Sequence, residues 1–294
     1  MPRVFGSEGI LAEPPRRIRL CADDYGISPA VNTAIRDLVV RGRLNATSVM
    51  VVAPSFHRAE ANALAVLNSV AARVAIGLHV TLTAPFRPLS TGFGPLQDGH
   101  FLPLAATFTH AALRRFARDA LKAEIGHQLE AFRDAFGRAP DFIDGHQHVH
   151  LFPQIARALL EVAKERAPGA WLRQCGRVVP WANRFADRKG LLLDALSWRF
   201  RRRAAALRLR TNPGFAGTYD FNDDADFAAL FPRFLEALPD GGLVMCHPGF
   251  VDAELQRLDP LTTLREKEYA YLVGDEFLGV LAAQGTTLAR ANVG

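Results

Sequence analysis

Residues 141–153 read Asp-Phe-Ile-Asp-Gly-His-Gln-His-Val-His-Leu-Phe-Pro. This segment holds three of the nine histidines, His146, His148 and His150, at every second position. A strand places alternate side chains on one face, so the spacing is typical of a strand end. If residues 142–145 finish a buried strand, the histidines emerge at its C-terminal edge, where α/β folds and barrels carry their chemistry.

The three histidines and the neighbouring Asp144 allow two interpretations. Imidazole rings at a strand end can serve simply as satisfied hydrogen-bonding groups. Histidine next to a carboxylate is, however, the usual donor set for borderline divalent metals. The segment therefore predicts a metal or acid/base centre, in which one or two of the rings only orient the others.

The bulk composition indicates one large globular domain. The chain has 294 residues, of which 49% are hydrophobic, and this suits a single domain over residues 1–294 with insertions. A loose tail is predicted at residues 1–16, and its lack of a continuous apolar centre argues against a signal peptide. Three widely spaced cysteines show neither zinc-knuckle nor disulfide spacing and favour a reducing, cytoplasmic location.

Membrane-spanning and nucleic-acid-binding classes are not favoured. No apolar run approaches the roughly 20 residues that cross a bilayer. The net charge of +5 comes with arginines concentrated in residues 199–210. Because no zinc finger, RNP-like motif or regular basic-aromatic alternation accompanies them, we predict no nucleic-acid partner.

Apolar runs and helical patterns alternate along the chain, which predicts parallel βα units and an α/β fold. The predicted strands lie at residues 17–22, 44–52, 74–82, 142–145, 170–174, 241–246 and 286–289. The predicted helices lie at residues 30–41, 56–72, 111–136, 154–166, from near 223, and 264–283. Ser28 and Pro29 are expected to start the first helix, and the Pro- and Gly-rich residues 84–108 to form a loop over the site.

Titratable residues stand within or directly after three further predicted strands. Asp23 and Asp24 follow the first, and two adjacent carboxylates there are costly unless a cation accompanies them; the alternative is a solvated turn in which Asp24 caps the helix. His79 lies in a strand apolar enough to be covered on both faces, where it is either a satisfied core histidine or a ligand. His247 follows the strand at 241–246, and Pro248 aims it rigidly, as an acid/base group requires.

Side chains from the ends of different parallel strands converge on one mouth in such folds. Two histidines and one carboxylate bind a metal and leave positions open for water and substrate. Metal-activated water is a nucleophile at neutral pH, a spare carboxylate accepts its proton, and a histidine on the other side protonates the leaving group. The constellation suits hydrolysis of an amide or ester.

Residues 181–210 form a basic stretch with aromatic side chains, including Trp181, Trp198 and Phe200. The first interpretation is a solvated helical insertion. The second is a peripheral membrane contact through residues 198–210, because a basic helix with aromatic anchors suits an interface with anionic lipid or with a phosphate-bearing substrate.

The chain resembles the YdjC-like carbohydrate deacetylases, which include chitooligosaccharide deacetylases and hopanoid-biosynthesis-associated members. The matching segments span most of the chain in the family's order: Ala-Asp-Asp-Tyr-Gly-Ile-Ser at 22–28 with Val31-Asn32, Thr47-Ser48, Gly-Leu-His-Val-Thr-Leu-Thr at 77–83, Asp-Gly-His-Gln-His-Val-His at 144–150, and Met-Cys-His-Pro-Gly-Phe at 245–250.

This resemblance implies a distorted, TIM-like (β/α) barrel that removes an N-acetyl group from an amino sugar with a divalent metal ion, Mg²⁺ or Zn²⁺. Carried over residue by residue, it implies Asp24, His79 and His146 as the metal ligands and Asp23 as the general base. It implies His247 as the general acid or transition-state stabiliser. The substrate contacts that it implies are those of His148, His150 and Tyr25.

Two other functions remain alternatives. Asp/His metal sites on βα barrels also serve phosphoester hydrolysis, and a sugar- or lipid-binding protein could keep the metal as a structural element. The basic insertion at 181–210 extends the expected substrates to lipid-linked sugars and the expected location to the inner face of a membrane. The sequence leaves a homodimer open.

Overall fold

The computed structural model describes residues 14–68, 74–178 and 188–289. Within these ranges the strands are β1 (Arg16–Tyr25), β2 (Ala46–Val49), β3 (Ala75–Val80), β4 (Phe142–Gly145), β5 (Trp171–Leu172), β6 (Phe215–Ala216), β7 (Leu243–Cys246) and β8 (Thr286–Leu288). The helices are α1 (Pro29–Val40), α2 (Arg58–Val66), α3 (Leu104–Ala112), α4 (Arg118–Phe136), α5 (Pro153–Arg166), α6 (Arg188–Ala206), α7 (Phe227–Leu235), α8 (Ala253–Leu258), α9 (Thr263–Val273) and α10 (Asp275–Ala283).

The strands form one parallel sheet in the order β5-β4-β3-β2-β1-β7-β6, and β8 pairs with the beginning of β1. Isolated parallel bridges, Leu172 with Thr211 and Arg177 with Phe215, link the two edges of the sheet. The sheet therefore curls into the distorted barrel that was predicted, with helices on its outer side.

Strand register brings the predicted site residues to one end of the barrel. Ala22 pairs with both Thr47 and Cys246, and His79 pairs with Asp144. The C-terminal ends of β1, β2, β3, β4 and β7 consequently lie side by side, as expected for the active face of a parallel barrel.

The core is built from apolar strands and from the inner faces of the helices. Ile18 and Leu20 of β1 are fully buried, as is Ile35 of α1. The predicted start of α1 is confirmed: the Ser28 side chain accepts a hydrogen bond from the Val31 N–H at 3.3 Å, and Pro29 occupies the first turn.

Several predicted boundaries are wrong for local reasons. Residues 111–136 form two helices, α3 and α4, between which Arg114 takes a left-handed conformation with φ 55°. Residues 264–283 also form two helices, because Gly274 is extended between α9 and α10. The final part of the predicted loop at 84–108 belongs to α3.

Short elements escape sequence patterns. The sequence does not predict β6 or α8, because elements of two and six residues show too little periodicity. The helix expected near residue 223 begins at Phe227, where the Asp226 carboxylate accepts from the Ala229 N–H at 3.2 Å. The predicted tail at 1–16 is too long, since Arg16 already belongs to β1, and its residues 1–13 lie outside the described ranges.

The predicted basic insertion is helical in α6, but its last residues, 207–210, lie beyond the helix, and residues 181–187, with Trp181, lie outside the described ranges. Residues 69–72 at the end of the second predicted helix also lie outside them. Among the residues that the structure describes, no helix has the length and apolar character needed to cross a membrane.

Replacing Gly77 by alanine is expected to lower the free energy of unfolding by about 1–3 kcal/mol, because a Cβ there would lie 2.4 Å from the Phe142 ring. Urea unfolding followed by circular dichroism measures the change. Gly279→Ala is the control: nothing lies within 4 Å of its Cβ in α10, and alanine there should stabilise by up to about 1 kcal/mol. A Gly77→Ala protein as stable as the parent would contradict this packing.

Candidate metal centre and active site

The end of β1 carries two buried carboxylates, Asp23 and Asp24, exposed by 2% and 1%. Asp24 has a left-handed backbone, φ 69°, and the pairing of β1 with β2 shifts register between Ala22 and Tyr25. A left-handed non-glycine residue is uncommon and marks local strain of the kind that active sites retain. The bend allows both adjacent carboxylates to enter the same polar cluster.

Asp24, His79 and His146 come together as predicted. The Asp24 Oδ1 atom lies 3.0 Å from His146 Nδ1 and 3.4 Å from His79 Nε2. One donor atom from each residue lies within 4.8 Å of the others, and all three side chains are buried. This is the two-histidine, one-carboxylate donor set of divalent metal sites.

Asp144 and Ser48 orient the His79 ring. Its Nδ1 atom lies 2.6 Å from Asp144 Oδ1 and 3.0 Å from Ser48 Oγ. The Nδ1 proton, assigned from the Asp144 contact, leaves Nε2 facing Asp24, and Nε2 can act as a metal ligand once it gives up its own proton. A carboxylate behind a ligating histidine is the usual support of such a ligand.

Arg173, which is fully buried, balances two of the carboxylates. Its guanidinium lies 2.5 and 2.6 Å from the two oxygens of Asp23 and 2.6 Å from Asp144 Oδ2. Burial alone would raise the pKa of Asp23, but the charge of Arg173 and then of His79 holds that pKa below its usual range. Asp23 is therefore ionised at neutral pH and held by two hydrogen bonds.

Arg265, also fully buried, holds the other oxygen of Asp24. The distance from its Nη2 atom to Asp24 Oδ2 is 2.7 Å, and that to Asp259 Oδ2 is 3.2 Å. The Oδ1 atom of Asp24 is thereby left facing the two histidines. Like Arg173, Arg265 comes from a distant part of the chain.

The charges around His79 fit a cation. Within the residues that the structure describes, the three carboxylates of Asp23, Asp24 and Asp144 contact two guanidinium groups. Burial disfavours a charged His79 ring, yet the Asp144 and Asp23 carboxylates outweigh burial and raise the pKa of His79 to about 10. Carboxylates that favour a positive charge on a buried imidazole also favour a divalent cation held by Asp24, His79 and His146.

A second group of donor atoms does not fit a metal. Cys21, Asp23 and Asp144 also lie close together. The Arg173 Nη2 atom already lies between them, 3.0 Å from Cys21 Sγ and 2.6 Å from an oxygen of each carboxylate. The cation at this position is the guanidinium itself.

A family model described as YdjC-like protein matches residues 17–283. The chain belongs to the YdjC-like family. A chitooligosaccharide deacetylase from Citrobacter koseri is 30% identical over 255 residues, covering 85% of this chain and 84% of that protein. A chitooligosaccharide deacetylase from Salmonella paratyphi B is 29% identical over the same length and coverage. The resemblance predicted from the motifs is thus confirmed.

A solved structure shares the fold of this YdjC-like chain. It is that of a proposed cellobiose-phosphate cleavage protein from Enterococcus faecalis, with a TM-score of 0.69 and 22% identity. The similarity covers 94% of this chain and 97% of the other. At that identity it supports the barrel fold alone.

The histidines after β4 do not share one face, and this corrects the strand-like expectation. His146–Leu151 is a 3₁₀ segment in which Gln147 and His148 have positive φ, 52° and 59°. Only His146 reaches the carboxylates, with its ring also edge-on to Phe86 at 5.8 Å.

His148 and His150 take different positions. His148 is half-buried with Nδ1 3.5 Å from Cys175 Sγ, and burial together with Arg173 lowers its pKa to about 3, so its ring is neutral. His150 is fully buried; its Nε2 atom lies 3.0 Å from the Arg173 carbonyl oxygen and its ring packs on Phe200. His148 thus borders the cluster, whereas His150 has no exposed surface to offer a substrate.

Tyr25 is not brought into the cluster. Its side chain is fully buried, and the hydroxyl oxygen lies 3.0 Å from a Glu60 carboxylate oxygen and 3.0 Å from Arg36 Nη1. Those partners belong to α2 and α1. In the structure Tyr25 joins these two helices, and its contact with a substrate stays a prediction.

His247 follows β7 as predicted. Among the described residues its Nδ1 atom has no hydrogen-bond partner although it is buried. Burial lowers the pKa of His247, with Asp24 and Asp23 acting against this shift, so the ring is neutral at neutral pH. Its backbone N–H donates to Glu268, and its ring lies edge-on to Phe221 at 5.4 Å.

Glu268 is a buried carboxylate behind His247. It accepts a hydrogen bond from the Tyr219 hydroxyl at 2.6 Å in addition to the His247 N–H. Burial is the main cause that raises the pKa of Glu268 to about 7. Two groups on the inner side of α9, Arg265 and Glu268, therefore support two different active-site residues.

Sequence reasoning did not identify Arg173, Arg265 or Glu268. An arginine in the short apolar strand predicted at 170–174 was an available signal for the first. For the other two there was none, because α9 has the charge pattern of an ordinary surface helix.

Replacing Arg173 by methionine is expected to destabilise the protein by about 3–5 kcal/mol, since two buried carboxylates lose their counter-charge. Chemical unfolding at pH 7 measures the loss. Arg118→Met is the control, because that arginine is 54% exposed in its pair with Glu161 and should cost at most about 1 kcal/mol. Equal effects of the two substitutions would refute the role given to Arg173.

Replacing Glu268 by glutamine is expected to change how stability depends on pH. The folded-state pKa of Glu268, about 7, lies above the usual 4.5. Its contribution to the free energy of unfolding is therefore fully present below pH 4.5 and is lost as the pH rises through 7. Glutamine cannot ionise, so the variant should gain about 3 kcal/mol over the parent between pH 4 and pH 8.

Urea unfolding of parent and variant across that range tests this prediction. Glu266→Gln is the control, with the same change at an exposed position of the same helix. A constant difference between Glu268→Gln and the parent at every pH would contradict the raised pKa.

Proposed function

We propose that this YdjC-like protein is a divalent-metal-dependent hydrolase that removes the N-acetyl group from an N-acetylated amino sugar. The observation that carries the proposal is the buried Asp24, His79 and His146 cluster with Asp23 and His247 beside it. The similarity to two chitooligosaccharide deacetylases over 85% of the chain supports the reaction and the substrate class.

Asp24, His79 and His146 would hold the metal ion. When bound, a divalent cation lowers the pKa of water and polarises a carbonyl group. The protein's contribution is to fix the three donors: Asp144 sets the His79 ring, and Arg265 holds the remote oxygen of Asp24. These donors suit both Mg²⁺ and Zn²⁺.

Asp23 is assigned as the general base. The Arg173 guanidinium holds both of its oxygens, and the Ser48 hydroxyl donates to Oδ1 at 3.1 Å, so the carboxylate is ionised and cannot rotate freely. It takes the proton from the water that attacks the acetamide carbonyl carbon. The guanidinium remains paired with it throughout.

His247 is assigned to the developing negative charge on the carbonyl oxygen. Because its ring is neutral, one ring nitrogen carries a proton and can donate a hydrogen bond to that oxygen. When the C–N bond breaks, the amine nitrogen needs a proton. The proton that Asp23 has taken from the water can reach this nitrogen directly or through His247. His148, which is half-buried beside the cluster and neutral, is assigned to contact the sugar.

The lipid-linked substrate, the homodimer and the cytoplasmic location stay predictions. Phosphoester hydrolysis and sugar binding with a structural metal are the alternatives that an activity assay must separate. Neither has a specific observation in its favour.

Acetate release from N-acetylglucosamine oligomers and from N-acetylglucosaminyl glycolipids, with and without chelator, tests the proposal. We expect release that chelator abolishes and that returns with added metal. His79→Ala should lose both bound metal, measured by mass spectrometry, and activity, whereas His127→Ala on the exposed side of α4 should keep both. Asp23→Asn should keep its metal and lose activity by about 10²–10⁴-fold.

The outcomes separate the alternatives. Phosphate release from phosphoesters without acetate release would replace deacetylation by phosphoester hydrolysis. Saccharide binding that Asp23→Asn leaves unchanged, with no release of acetate from any substrate, would favour the binding protein.

A further inference from the structure

The outward face of α6 carries a shallow basic depression. Trp198, Arg199, Arg202, Arg203 and Ala206 line a space of about 320 Å³, and we call these residues the α6 surface. All five are exposed. Such a hollow between arginines has the size and charge for a phosphate-bearing head group.

The arginines of the α6 surface lack internal counter-charges. The chain has no acidic residue between Asp194 and Asp220, and Asp194 is itself paired with Arg177 at 2.9 Å. Within the described parts of the chain, no carboxylate forms an ion pair with Arg199, Arg202 or Arg203. Clustered arginines repel one another, so the surface is complementary to an anionic partner.

Trp198 adds an apolar anchor to this positive charge. Its side chain is 50% exposed, and the guanidinium of Arg202 lies 4.8 Å above the ring. Leu192, fewer than two turns earlier on the helix, is 48% exposed. Arginines with tryptophan and leucine on one exposed helix are typical of helices that lie in the head-group region of a bilayer.

The α6 surface is held on a packed helix. Leu196, Phe200 and Ala204 are buried on the opposite side, and the Phe200 ring packs edge-on against His150 at 5.7 Å. The Ser197 hydroxyl accepts a hydrogen bond from the Cys175 N–H at 2.8 Å. The arginines are thus presented by an element joined to the barrel, and little ordering is needed for them to bind together.

We propose that the α6 surface binds anionic phospholipid head groups at a bilayer surface. A single-stranded nucleic acid also needs arginines, but it gains affinity by stacking bases on exposed aromatic rings. Arg202 covers one face of the Trp198 ring, so at most one face is left for stacking on a base, and this favours the lipid interface. This interaction is independent of the deacetylation proposed above.

Sedimentation with vesicles tests the proposal. The full-length protein is expected to bind phosphatidylglycerol-containing vesicles, not pure phosphatidylcholine vesicles, and to be released by salt. Arg199→Gln with Arg202→Gln should lower the partition coefficient about 30-fold, since each arginine near an anionic surface contributes about fivefold. Arg233→Gln with Arg257→Gln removes the same charge from exposed positions of α7 and α8 and should change binding less than about threefold.

Three results would overturn the proposal. These are no binding to anionic vesicles, equal losses in the two double variants, and stronger binding of a single-stranded oligonucleotide that depends on the same two arginines. Because both double variants leave the metal cluster untouched, acetate release from a soluble substrate shows separately whether the proposed reaction holds.

Discussion

The buried ion pairs of Arg173 are the constraint on which the rest of the site depends. Its guanidinium joins the end of β1, through Asp23, to the end of β4, through Asp144, and it comes from the residue directly after β5. Removing such charges from water is costly, and only close pairing with a counter-charge compensates for the loss. Three strand ends are therefore held at fixed distances before any ligand binds.

This pairing also orients the predicted metal ligands. Asp144, fixed by Arg173, orients the His79 ring, and His79 faces Asp24, whose other oxygen is held by Arg265. Alternating positive and negative groups thus run through the barrel mouth from β5 to α9. Chains of paired charges of this kind are rigid because each group restrains the position of its neighbours. A metal site needs this rigidity because its donor atoms must keep their separation.

The carboxylates also separate into distinct chemical tasks. Asp23 and Asp24 are adjacent in sequence, yet the left-handed turn at Asp24 gives one of them to Arg173 and the other to the two histidines. Glu268, with a raised pKa, supports His247 without entering the cluster. The carboxylates therefore have three different sets of partners, and the proposed roles of ligand, base and support rest on these partners.

The sequence by itself determined the α/β class, the family motifs and the strand ends that carry Asp23, Asp24, His79, His146 and His247, because apolar runs and polar residues at their ends are local patterns. It did not determine which histidine after β4 faces the carboxylates, since a 3₁₀ segment replaced the strand-like alternation. Nor did it reveal the hydroxyl partners of Tyr25, or Arg173, Arg265 and Glu268. Those roles arise from contacts between residues far apart in the chain, and only the folded barrel brings such residues within hydrogen-bonding distance.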